Sequence, residues 1–111
     1  CFDFGALWDR FPSGVHEALG FGFGAKDYAE AKRIAGTFTL AGISIDCPLL
    51  VVHSGQDKVC PVEESEKIAA VAGAKAEMVI YPEGNHVCDN IPYKARPLMA
   101  DWMAEKLGAR G

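Results

Sequence analysis

The chain has 111 residues, half of them hydrophobic, with 11 Lys and Arg against 15 Asp and Glu and a formal net charge of -4. That length makes one domain at most and suffices to bury a core, while the charge balance leaves no basic stretch able to neutralise several phosphates, so nucleic acid is not an expected partner. No apolar run approaches the roughly 18 residues of a membrane helix, and the opening CFDFGALWDRF has neither the basic nor the apolar region of a signal peptide, so a soluble, cytoplasmic chain is expected.

Residues 1 to 45 are rich in aromatics and glycine and carry two helix-like stretches. Ser13 is placed to cap a turn through Val15, His16 and Leu19, and Asp27 with Glu30 makes a capping-box-like start for DYAEAKRIA, which stops near Gly36. The intervening GFGFG does not meet the G-x-G-x-x-G spacing and follows no strand, so it is read as a hinge between helices and not as a nucleotide fingerprint.

From Cys47 onward the pattern becomes strand, helix, strand, helix. PLLVVHS is a continuous apolar run of the kind that fills a parallel strand buried on both faces. PVEESEKIAAVAG reads as a helix opened by Pro61 in its first turn, with three Glu near its positive end and Gly73 at its stop. AEMVIYP is the second strand, and RPLMADWMAEKLG puts Leu98, Met99, Trp102, Met103 and Leu107 on one apolar stripe before Gly108. A strand-helix-strand unit of this kind crosses over right-handed and brings the C-terminal ends of two parallel strands side by side.

That topology gives His86, in the PEGNHVCDN loop after the second strand, a partner. Asp57 follows the end of the first strand, so both side chains leave the edge of the sheet where α/β proteins carry out chemistry. Strands lie about 4.8 Å apart, close enough for an Asp in one loop to hold a His ring in the next, fix its tautomer and stabilise its imidazolium. The expected separation is about 2.6–3.2 Å. Cys1, Cys47, Cys60 and Cys88 contain no C-x-x-C pair, which argues against a zinc or thioredoxin-like site and for reduced thiols. Metal binding by Asp57, His86 and Cys88 is a weak alternative, since His-x-Cys is a poor ligand signature.

CPLLVVHSGQDKVCPVEESEKIA resembles the strand, loop and helix that carry the acid of the α/β-hydrolase superfamily, and IYPEGNHVCDNIPYKARPLMADWMAEKL resembles its histidine loop and final helix. With LWDRFPSG and GAKDYAEAKRIAGTFTLAG, the chain is similar to the subgroup that includes the fermentation-respiration switch protein and 2,6-dihydroxypseudooxynicotine hydrolase. The resemblance implies an α/β class: a partial α/β-hydrolase fold with a short parallel sheet, flanking helices and a small helical cap. Residues 1–5 would end a core strand, 6–45 form the cap segment and 46–111 the C-terminal core. Asp57 maps onto the triad acid and His86 onto the triad histidine, with no cofactor or metal and a small molecule as substrate of the full-length parent.

The family's nucleophile sits in a G-x-S-x-G elbow earlier in the chain, and none of Ser13, Ser44, Ser54 and Ser65 has those flanking glycines. Triad order puts the nucleophile before Cys1, so the expectation is an isolated chain that is inert, supplying acid and histidine to ester or carbon–carbon bond hydrolysis by a larger whole. A non-catalytic binding or assembly module derived from a hydrolase is the alternative. Lacking the strands that would flank PLLVVHS, the chain is expected to self-associate or to pair with a missing N-terminal half.

Overall fold

The computed structural model describes residues 3–108, which form two compact units divided between residues 42 and 43. In the first unit, α1 (Phe4–Leu7) runs into a 3-10 turn (Trp8–Arg10), followed by α2 (Ser13–Phe23) and α3 (Tyr28–Ala35). Phe4 and Gly5, expected at the end of a core strand, are therefore helical: the Asp3 carboxylate accepts the Ala6 N–H and starts a turn there. Cys1 and Phe2 lie outside the described residues.

Asp27 caps α3 by accepting the Glu30 N–H, and the Glu30 carboxylate reaches back to the Lys26 N–H, one residue beyond the usual capping box. The GFGFG stretch is mostly the last turn of α2; the hinge narrows to Gly24, whose φ of 67° is the left-handed conformation that a helix stop requires. Trp8, Ala31 and Ala35 form the core of this unit, with the His16 ring tilted against the indole at 4.5 Å and donating from Nε2 to the Trp8 carbonyl.

The second unit is a three-layer sandwich. β1 (Leu49–Ser54) and β2 (Ala76–Tyr81) pair in parallel, Leu49 opposite Ala76 through Ser54 opposite Tyr81. Between them runs α4 (Val62–Ala72), which begins one residue later than expected because Pro61, with ψ at 151°, stands as its cap and not inside its first turn. Strand alternation sends Val51, His53, Met78 and Ile80 to one face and Val52, Ser54 and Tyr81 to the other. The latter face meets α5 (Pro92–Lys106) through a core of Cys88, Ile91 and Ala95.

α5 starts a turn earlier than the sequence pattern suggests, and its expected stripe is corrected. Ala95 is buried and Leu98 and Trp102 half-buried, but Met99, Met103 and Leu107 lie exposed at i, i+4, i+8 spacing. Among the described residues no helix is long and apolar enough to cross a membrane. Cys47 and Cys88 are free thiols, whereas Cys60 is disulfide-bonded, against the reduced state expected of it.

Candidate active site

Two loops at the C-terminal ends of β1 and β2 meet backbone to backbone. Gly55 donates its N–H to the Tyr81 carbonyl at 2.8 Å, and Gln56 donates to Gly84 at 2.9 Å. A side chain at Gly55 would stand 2.8 Å from Pro82 Cα, and one at Gly84 3.1 Å from Ser54 Cβ. Both glycines are thus needed for a close approach that puts residue 57 beside residue 86.

Where the loops meet, the His86 Nδ1–H donates to the Asp57 carboxylate, 2.9 Å from Oδ2 and 3.0 Å from Oδ1. Oδ1 also accepts the N–H groups of Val59 (2.8 Å) and Cys60 (2.9 Å), so the acid is anchored by its own loop and aimed at the ring. The Asp57 side chain is 5% exposed, the His86 side chain 50%. Burial pushes the Asp57 carboxyl upward, but the Cys60 N–H, the His86 ring and the Val59 N–H together hold it below its ordinary value. With Nδ1 engaged as donor, a neutral His86 carries its lone pair on Nε2, and among the described residues nothing bonds to that nitrogen.

The histidine loop is itself held under strain. Asn85 and Asn90 exchange backbone-to-side-chain hydrogen bonds at 2.9 and 3.2 Å, and the Asn90 amide donates to the Glu83 carbonyl. Directly after His86, Val87 (φ 54°) and Cys88 (φ 57°) are both left-handed without being glycine, a conformation that costs about 1–2 kcal/mol per residue. Ser54, at the end of β1, helps to hold it: its Oγ accepts the buried Cys88 N–H at 3.0 Å and pairs with Cys88 Sγ at 3.0 Å. Strain concentrated beside a histidine that an acid orients is a feature of functional sites.

Both expected site residues are brought together. Cys88, the third member of the metal alternative, turns to Ser54, and the described residues hold no group of three ligands able to take a metal. Sequence reading missed Ser54, the Asn85–Asn90 clamp and a buried pair on the α4 face, Ser65 and His53. The HSG run at the end of β1 was the available signal, since a polar pair closing an apolar strand must find partners when buried.

The model of the prolyl oligopeptidase family of peptidases matches residues 8–110. The chain belongs to that family. Its fold is similar to the solved structure of 2,6-dihydroxy-pseudo-oxynicotine hydrolase, with a TM-score of 0.80 and 24% identity over 92% of this chain. The match covers 30% of the hydrolase, so the chain spans about a third of the length of that structure. No curated protein sequence matches it significantly. The chain is thus an α/β-hydrolase-type fragment with a short parallel sheet and flanking helices, as its sequence resemblance implied.

Proposed function

We propose that this chain supplies the acid, Asp57, and the general base, His86, of a serine-type hydrolase whose nucleophile lies in polypeptide beyond these 111 residues. The observation that carries the reading is the 2.9 Å Asp57–His86 bond on a half-exposed ring whose Nε2 is unengaged among the described residues. In such a site Nε2 takes the proton of an attacking serine, Asp57 stabilises the imidazolium, and the same proton passes to the leaving group. Family membership adds peptide bonds to the esters and carbon–carbon bonds considered from sequence, and the acid–base steps are common to all three.

Three of the chain's four serines support an external nucleophile: Ser54 is hydrogen-bonded to Cys88 and Ser65 to His53, both buried, while exposed Ser44 is paired with Asp46. The fourth, Ser13, opens α2 in the first unit. On this reading residues 6–45 are part of the cap and the substrate is a small molecule of the complete enzyme. A fluorophosphonate probe with intact-mass readout tests it: the isolated chain should gain no adduct, and a His86-dependent adduct on any of its serines would overturn the assignment. In a polypeptide that includes the nucleophile, Asp57→Asn should cost about 10⁴ in kcat.

A second reading, a binding or assembly module, is favoured by one observation. Met78, Ile80, Met99, Met103 and Leu107 are 39–74% exposed on a unit whose described residues form a two-stranded sheet. Self-association or pairing with further polypeptide would cover them.

A further inference from the structure

On the face of β1 opposite Ser54, His53 is 7% exposed and both its ring nitrogens are engaged. Nε2 lies 3.1 Å from the Cys60 carbonyl, which can only accept, so a neutral ring carries its proton there. Nδ1 is then the acceptor for the hydroxyl of Ser65, buried on α4 and in short contact with it. Cys60 is also one of the two residues whose N–H groups anchor Asp57 Oδ1. A continuous chain therefore runs from α4 to the acid: Ser65 O–H to His53 Nδ1, His53 Nε2–H to the Cys60 carbonyl, Cys60 N–H to Asp57, and Asp57 to His86.

We infer that Ser65 and His53 are positioning residues for the triad acid, locking the 57–60 loop to α4 so that its carboxylate stays aimed at His86. The inference rests on the function proposed above and extends it to two residues that touch neither substrate nor His86. The carbonyl of Cys60, which precedes the Pro61 cap of α4, accepts from His53 Nε2. Burial of both side chains makes the lock stiff, because a buried donor or acceptor left without a partner is penalised by its lost solvation. Loss of either partner unties the Cys60 main chain from α4 while the Cys60 disulfide stays in place, and the aim of the carboxylate loosens with that main chain.

The test is proton NMR of the folded chain at low temperature, where the His86 Nδ1–H shared with Asp57 gives a low-field resonance, alongside urea unfolding. Ser65→Ala and His53→Leu should each move that resonance upfield and speed its solvent exchange at least threefold, while Ser65→Thr, which keeps the hydroxyl, retains it. Ile68→Val, a buried substitution one turn further along α4, controls for stability: it should lower the unfolding midpoint and leave the resonance in place. An unchanged resonance in both folded variants would overturn the positioning role while leaving the Asp57–His86 pair intact. Absence of the resonance in the unsubstituted chain would instead refute the pair, and the inference with it.

Discussion

Gly55→Ala should separate the two loops that make the site. The added methyl would lie 2.8 Å from Pro82 Cα, 2.9 Å from Pro82 O and 3.2 Å from Pro82 C, all backbone atoms that no rotamer change can remove. Ordinary carbon contacts begin near about 3.5 Å, so the strands' exits must part by about 0.7 Å. The two hydrogen bonds that staple them, Gly55 to Tyr81 at 2.8 Å and Gln56 to Gly84 at 2.9 Å, would stretch to the limit of useful geometry. Overpacking of about 1–3 kcal/mol and two weakened bonds of about 0.5–1.5 kcal/mol each give an expected loss of about 2–6 kcal/mol.

Stability alone does not distinguish this from any damaging substitution, so the comparison is with Gly73→Ala. Gly73 has a φ of 57° and nothing within 4 Å of an added methyl, so its cost of about 1–3 kcal/mol is backbone strain at the far end of α4. Urea unfolding should show both losses, whereas the low-field His86 Nδ1–H resonance should disappear only in Gly55→Ala. A Gly55→Ala chain that keeps both its stability and that resonance would show that the loops are not wedged against each other, and the account of why Asp57 reaches His86 would fail.

Two further outcomes follow from the same geometry. The Asp57 carboxyl is held below its ordinary value of 3.8, so its contribution to stability is complete above that pH and lost as pH falls through the lower folded-state value; Asp57→Asn should flatten the loss of urea stability below about pH 4, and identical slopes in both chains would contradict the anchoring described. The exposed row on α5 should drive self-association, so light scattering is expected to give a mass above 11.9 kDa that falls towards it in a Met99→Ser, Met103→Ser chain; a monomer persisting at high concentration would show that the row needs no cover.

What was readable in the sequence is what local pattern and topology determine. PLLVVHS, the Glu-rich helix and AEMVIYP announce themselves by composition and punctuation, and the parallel crossover places Asp57 and His86 at one sheet edge before any coordinates are known. The stripe on α5 failed because apolar spacing shows only that residues share a face, not that another layer covers it. Met99 and Met103 share a face that no described layer covers, while small Ala95 lies where the helix meets the sheet.

The supporting polar groups were hidden for a different reason. His53 and Ser65 are twelve residues apart and serve a main-chain carbonyl, an acceptor that every residue possesses and no pattern marks. The left-handed pair at 87–88 is harder still, since a β-branched valine is among the residues least suited to that conformation. It is held there by contacts made elsewhere: the Asn85–Asn90 clamp closes the loop, and Ser54 takes the Cys88 N–H from the neighbouring strand. The local preference of Val87 and the tertiary demand on His86 conflict, and the tertiary contacts win. A conflict of that kind is invisible to propensity, and it sits next to the one side chain whose direction the proposed chemistry requires.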